Sequence, residues 1–337
     1  MGRFPFSAFP GGWYAVAFSQ ELAVGALQSL TFMGREYVLF RGESREVAML
    51  GAHCPHMGAH LGIGGRVVGD AVRCPMHGFS FARDGACVAT GYGTKPPPTC
   101  KAGTVPLLEH GGVVLAYHDA HGAAPAWQPP PPSFAGFTRL RTHVLRGIAT
   151  HPQETTENSV DLGHFAAVHR YREVEMLEPV RTDGAYLTTR YRMQRRPFLA
   201  GTRPIAAEFT VHVHGLGYSL VEVVVPSHGL ESRHYVLPTP TDGAHIDLRI
   251  ASCVRATARP LRWLPLRALE WLVGRMVQRH YLADVSQDLA IWENKAYVHP
   301  PRLAEGDGPV GRYRTWTKQF YPPERGESLP VLQSTAT

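Results

Sequence analysis

Two short stretches of this 337-residue chain each carry one cysteine and one or more histidines at close spacing. The first reads Cys54-Pro55-His56-Met57-Gly58-Ala59-His60, and the second Cys74-Pro75-Met76-His77-Gly78. Two thiolates and two imidazoles offered by two loops suit a two-iron, two-sulfide centre in which both Cys hold one iron and both His the other. The same donors also suit tetrahedral zinc. A zinc finger usually supplies its Cys as one pair and its His as another, near a recognition helix. Here the donor types alternate and glycines crowd the loops, which favours the iron centre and its chemistry, the transfer of single electrons.

A second stretch lies farther on, Glu157-Asn158-Ser159-Val160-Asp161-Leu162-Gly163-His164-Phe165-Ala166-Ala167-Val168-His169. On a helix, Asp161 and His164 lie one turn apart on the same face, with His169 just over one further turn along. Two imidazoles and one carboxylate with open positions make the facial triad of non-haem Fe(II) oxygenases. No suitable carboxylate follows His169 closely, so the third ligand must come from elsewhere. Alone, the stretch fits an amphipathic helix with two hydrogen-bonded His equally well. His53 and His60, beside the first Cys–His loop, are read as packing or hydrogen-bonding residues, and His212 and His214, on one strand face, as solvent-facing or pocket-lining.

The first pair of motifs, with Pro after each Cys and Gly after both halves, resembles the Rieske signature of the Rieske non-haem iron oxygenases. Asp-X-X-His-X-X-X-X-His, preceded by Asn158, resembles their mononuclear iron motif. The resemblance implies that Cys54, His56, Cys74 and His77 bind a [2Fe-2S] Rieske cluster and that His164 and His169 bind Fe(II). It implies Asp288, after Gln287 and before Ile291-Trp292, as third ligand in preference to Asp284. Asp161, with Asn158 beside it, would belong to the catalytic machinery, bridging the two centres between subunits of a homotrimer. Respiratory Rieske subunits carry an extra Cys in each loop, where Ala59 and Met76 stand here, so the oxygenase type is expected.

The tail, Ile291-Trp292-Glu293-Asn294-Lys295, then Gly306-Asp307-Gly308-Pro309, then Tyr313-Arg314-Thr315-Trp316 and Gln319-Phe320-Tyr321, resembles the 3-ketosteroid 9α-hydroxylase and cholesterol 7-desaturase branch. That implies an oxygenase component using O2 to hydroxylate, desaturate or demethylate a steroid or sterol. No flavin or nicotinamide motif is visible, so electrons would come from a separate flavin/ferredoxin-type reductase. The alternatives are a smaller aromatic or heterocyclic substrate or, in other classes, an electron carrier or a non-catalytic lipid-binding module.

The elements that must position these residues point to an α+β protein of two domains. Short apolar runs such as Trp13–Ala17, Glu36–Phe40 and Val113–Tyr117 predict an antiparallel β domain, which the resemblance implies is a Rieske β-sandwich over residues 1–127. Proline-rich Gln128–Ser133 marks the boundary. The resemblance implies that residues 128–337 form a helix-grip catalytic domain. Its strands begin with one at Phe137–Leu145 and continue as a broad antiparallel sheet from Tyr186 to Leu248. A helical pattern over Arg259–Tyr281 continues to Lys295. With 44% hydrophobic and 18% charged residues the chain is globular and not disordered. Its net charge of +6 is scattered, without the basic run a nucleic-acid binder would show. Three Cys outside the cluster motif argue for a reducing compartment. The opening residues lack a signal-peptide core and no segment reaches membrane-spanning length, so the expected location is the cytoplasm, with peripheral membrane contact through the Arg259–Arg279 segment as the alternative.

Overall fold

The computed structural model describes residues 3–195, 204–256 and 266–322. Three small antiparallel sheets stack in the first part of the chain. β1 (Gly12–Phe18), β9 (Leu107–His110) and β10 (Val113–His118) form the first, in the order β1-β10-β9. β2 (Leu27–Phe32), β3 (Arg35–Arg41) and β4 (Val47–Gly51) form the second, and β5 (Arg66–Val68), β6 (Ala71–Arg73), β7 (Ser80–Ala82) and β8 (Cys87–Ala89) the third. Strand alternation lets the middle sheet serve two cores. Val38, Phe40 and Leu50 point into the core that contains Cys54 and Cys74, while Leu39 and Met49 pack beneath β1 and β10. Full burial of each such side chain contributes roughly 1.5–3 kcal/mol, which fixes the platform carrying the two Cys–His loops.

The rest of the chain builds one seven-stranded antiparallel sheet in the order β11-β17-β16-β15-β14-β13-β12. Its strands are β11 (Arg141–Ile148), β12 (Arg172–Asp183), β13 (Tyr186–Arg195), β14 (Ile205–His214), β15 (Tyr218–Val225), β16 (Leu230–Pro240) and β17 (Ile246–Ala256). The strand expected at Phe137–Leu145 starts later, at Arg141. Phe137 instead lies beneath the guanidinium groups of Arg233 and Arg255, 4.8 and 4.6 Å from its ring centre. Helices α1 (Pro152–Glu157) and α2 (Leu162–Ala167) interrupt the sheet, and α3 (Leu266–Asn294) and α4 (Val310–Thr317) follow it. The two helical patterns read from the sequence form the single α3; residues 257–265 lie outside the described residues. Among the described residues no helix is long and apolar enough to cross a membrane.

The two faces of the large sheet have different partners. Tyr218, Leu220, Tyr235 and Leu237 pack on Trp13, Phe18 and Leu115 of the first sheet. On the other face Leu248 and Ile250 pack on Val285 and Trp292 of α3. A bulge between Ala15 and Ala17 breaks the β1–β10 register. The Ala15 carbonyl accepts from Thr239 Oγ1 at 2.6 Å and from buried Arg249 Nη1 at 2.9 Å, tying the stacked sheets to the large one.

Candidate active site

The two Cys–His loops are folded alike. Gly58 N–H donates to the Cys54 carbonyl at 2.8 Å and Cys54 N–H to that of Ala59 at 2.9 Å; Gly78 N–H donates to Cys74 at 3.2 Å and Cys74 N–H to Phe79 at 2.7 Å. Each turn needs a left-handed residue, with φ of 79° at Gly58 and 69° at Gly78, which glycine adopts without a Cβ clash. Cys54 and Cys74 are buried with their thiols in contact. Burial pushes the Cys54 thiol up to about 11, opposed by the backbone N–H of His56 and reinforced by Cys74. His56 and His77 are half-buried, with ring centres 4.9 Å apart. A sulfur pair inside and a nitrogen pair outside fit a two-iron cluster. Among the described residues these donors do not gather as three within 4.8 Å, as a single tetrahedral zinc would require. His53 and His60 pack against each other at 5.3 Å, and His60 Nδ1 accepts from Gly62 N–H at 3.1 Å.

The set that does gather within 4.8 Å is His164, His169 and Asp288. The sequence stretch that carries both His is not one helix. The chain breaks at Asn158–Asp161 and restarts as α2, with Asp161 as N-cap whose carboxylate accepts from His164 N–H at 3.2 Å. A cap of this kind stabilises a helix start by about 1 kcal/mol, and running one helix through Asp161 would forfeit it. His169 lies past the end of α2, just before Arg170 at φ of 61°.

Both imidazoles are oriented through Nδ1. His164 Nδ1–H donates to the main-chain oxygen of Asp161 at 2.5 Å, while the Asp161 carboxylate stays 4.0 Å away. His169 Nδ1–H donates to Gln287 Oε1 at 3.3 Å, and its Nε2 lies 3.5 Å from Asp288 Oδ2. Such outer hydrogen bonds fix the tautomer and leave Nε2 for a metal, so the donor set fits a mononuclear iron. Burial, only partly offset by Asp161, lowers the His164 pKa. For His169 burial also opposes the charge, but Asp288, together with Asp284 and Gln287, outweighs it and holds the pKa above the ordinary value. Asp284, the competing carboxylate, is engaged elsewhere: Arg195 grips both its oxygens at 2.9 Å, and Tyr171 Oη donates to it at 3.1 Å.

The tail motif supports this site from below. Leu162 N–H donates to the Asp307 carbonyl at 3.2 Å, which holds the start of α2. Arg314 Nε donates to Glu157 Oε2 at 2.6 Å, and Lys295 Nζ lies 2.9 Å from Glu154 and 3.0 Å from Glu157. Burial would raise the Glu157 pKa, but Arg314 and Lys295 hold it below the ordinary carboxylate range.

Above the triad, between the sheet and α3, lies a cavity with about 810 Å³ of empty space, partly open to solvent. Phe165, Tyr191, Phe209, Val221 and Trp292 make its walls mostly apolar, and Asn158 lines it at the break between α1 and α2. His212 and His214 do not join it: His212 Nδ1 meets Tyr186 Oη at 2.7 Å, and His214 stacks on the Tyr186 ring at 4.7 Å. Gln287, Arg195 and Tyr171 were not singled out in the sequence. A Gln beside a ligand carboxylate has no signature of its own, and the other two act through a fold-dependent contact with Asp284.

Comparison with known proteins agrees with this geometry. Residues 12–101 match the family described as Rieske [2Fe-2S] domain, and residues 116–321 match the 3-Ketosteroid 9alpha-hydroxylase C-terminal domain. Cholesterol 7-desaturase nvd 1 of Ciona intestinalis is 28% identical, covering 93% of this chain and 69% of its own length. The 3-ketosteroid-9-alpha-monooxygenase oxygenase component of Rhodococcus rhodochrous is 25% identical, covering 93% of this chain and 80% of its own. The crystal structure of dicamba monooxygenase bound to dicamba shares the fold at a TM-score of 0.65 and 18% identity, over 92% of this chain and 97% of that one. The chain therefore belongs to the Rieske non-haem iron oxygenases, with the C-terminal domain of the 3-ketosteroid 9α-hydroxylase family and the two iron cofactors which that class employs.

Proposed function

We propose that this chain, divided at residues 127/128, is the oxygenase component that oxidises a steroid or sterol, with electrons from a separate flavin/ferredoxin-type reductase. The observation that carries the reading is the apolar cavity directly above His164, His169 and Asp288. Small-molecule sites are predominantly apolar with a few placed polar groups, and walls of this kind, partly open to solvent, suit a fused-ring hydrocarbon. The curated relatives named for cholesterol and 3-ketosteroids support the substrate class.

When bound, the irons supply electron delivery and oxygen activation, which side chains cannot provide. The chain's own residues do the positioning. Asp161 O and Gln287 Oε1 fix the two imidazoles. Phe165, Tyr191 and Phe209 keep water from the reacting carbon. The Asp161 carboxylate, a third exposed, is free to accept a hydrogen bond from His77 of a neighbouring subunit in a ring of three. The placement of the Cys–His loops on the unit packed against the sheet face opposite the cavity supports such an exchange between subunits.

The test is oxygen uptake and product mass spectrometry with a compatible reductase and a panel of 3-ketosteroids, sterols and small aromatic acids. A hydroxylated, desaturated or demethylated steroid product is expected. Turnover of the aromatic acids with none of the steroids would overturn the substrate assignment.

A further inference from the structure

Cys87 and Cys100 belong to neither iron site. Cys87 begins β8, and Cys100 lies on the returning segment beside it. The bridge between Ala86 and Lys101 is antiparallel, and Ala102 N–H donates to the Gly85 carbonyl at 2.9 Å. That register sets Cys87 directly opposite Cys100. Opposed residues of an antiparallel pair have Cα atoms roughly 4.5–5.5 Å apart, inside the span of roughly 4.4–6.8 Å that a disulfide needs. The two thiols lie close enough for the charge of Cys100 to act on Cys87, and the Cys87 thiol meets the Ala89 carbonyl at 3.5 Å. Both are half-buried and pack against the core that contains Cys54 and Cys74. Two residues beyond β8, Gly91 N–H donates to the carbonyl of His77 at 3.0 Å, so the pair sits on the arm that supports the second Cys–His loop.

We propose that Cys87 and Cys100 are a reversible modification site, closing to an intrachain disulfide when the protein meets hydrogen peroxide. One sulfur attacks a peroxide oxygen and the O–O bond breaks, giving a sulfenic acid and water. The second sulfur then displaces the sulfenic oxygen as a second water. In sum two thiols and one H2O2 give one disulfide and two H2O; sulfur loses two electrons and oxygen gains them. Peroxide is the side product expected of an oxygen-reducing iron enzyme whose electrons miss the substrate. A pair that closes and reopens in a reducing compartment is the form in which cytosolic disulfides usually occur.

The test treats iron-loaded protein with graded H2O2 while following the visible absorption of the cluster, then alkylates and maps peptides without reduction. The expected result is the loss of two hydrogen masses and a cross-linked peptide joining Cys87 to Cys100 in the same chain. The cluster absorption stays intact, and dithiothreitol reverses the change. Cys100→Ser should abolish the link and leave Cys87 oxidised singly. Oxygen adducts on either residue of the parent protein without a link, a link only between chains, or a link formed only after the cluster bleaches would each overturn the proposal. The outcome is independent of which substrate the enzyme oxidises.

Discussion

Replacing Gln287 with leucine removes the acceptor that His169 Nδ1–H finds at 3.3 Å while keeping a residue with good helix propensity. Losing such an orienting partner costs about 10–100-fold in metal affinity, equivalent to about 1.4–2.7 kcal/mol. Two features place this case at the lower end. The contact is longer than the usual range of about 2.7–3.2 Å for N–H···O. Gln287 is also exposed, so a water molecule can take the place of its amide oxygen. The expected loss is about tenfold, or about 1.4 kcal/mol. Fe(II) competition against a chelator, read as iron per chain under anaerobic conditions, measures it. The visible absorption of the cluster serves as internal control, because Cys54 and Cys74 lie in the stacked N-terminal sheets, which pack on the opposite face of the large sheet. Gln287→Glu, which keeps an acceptor at the same place, should bind iron at least as well as Gln287→Leu does. Unchanged affinity in Gln287→Leu, or loss of cluster and mononuclear iron together, would refute the orienting role.

Asp161→Asn keeps a good helix N-cap but removes the charge offered to a neighbouring subunit. Both metals should remain bound while coupled turnover is lost, and normal product formation by that variant would contradict the bridge. Arg314→Leu leaves Glu157 buried with Lys295 as its remaining cation. Removing one partner of a buried pair costs about 3–5 kcal/mol, and the surviving Lys295 places the expected loss near about 3 kcal/mol in urea unfolding. Burial depresses the pKa of His151 and His234 to about 3 and of His214 to about 4. These residues are neutral when folded and take up protons only on unfolding, so their contribution is complete above about pH 6.5 and falls as the pH drops towards 4. Three such groups lower stability by about 4 kcal/mol per pH unit once the unfolded chain is fully protonated at them. A flat stability profile between pH 6.5 and 5 would count against this account.

The parts of the site that were legible in the sequence are those where chemistry demands a residue type at short range. Cys54, His56, Cys74 and His77 sit within two turns, and the glycines that let those turns close stand beside them. His164 and His169 stood out as a closely spaced pair, but their reading as iron ligands came from the family resemblance, because the stretch alone fitted an amphipathic helix equally well. The break at Asp161 was not, because an N-cap Asp four residues after a Glu is compatible with a helix that simply continues. What decides is the hydrogen bond to His164 N–H and the support of α2 by Asp307, a contact across 145 residues of sequence. Asp288 could be placed by family resemblance but not by spacing. Its preference over Asp284 has a physical reason only in the fold, where Arg195 and Tyr171 occupy the competitor. The tail motif was visible as a pattern, while its work of bracing Glu157 and Leu162 depends on contacts that no local periodicity encodes. Strand β11 began late for a similar reason: Phe137 N–H turns back to the Phe134 carbonyl at 3.0 Å while its ring stacks under two arginines, and Thr138 N–H donates to the Val254 carbonyl before the ladder starts at Arg141.

The candidate mononuclear site joins elements of unequal rigidity. Its histidines come from a six-residue helix and the turn after it, whereas Asp288 rides on a helix of 29 residues. His169 and Gln287 are 118 positions apart in the chain, so an ion held by His169 and Asp288 would act as a cross-link across a long loop. Whatever binds the folded chain alone stabilises it by mass action, about 2.7 kcal/mol at a hundredfold excess over Kd. Chelation should therefore lower the melting temperature, and amide hydrogens of α2 should exchange before those of α3, because the short element keeps little order without the clamp.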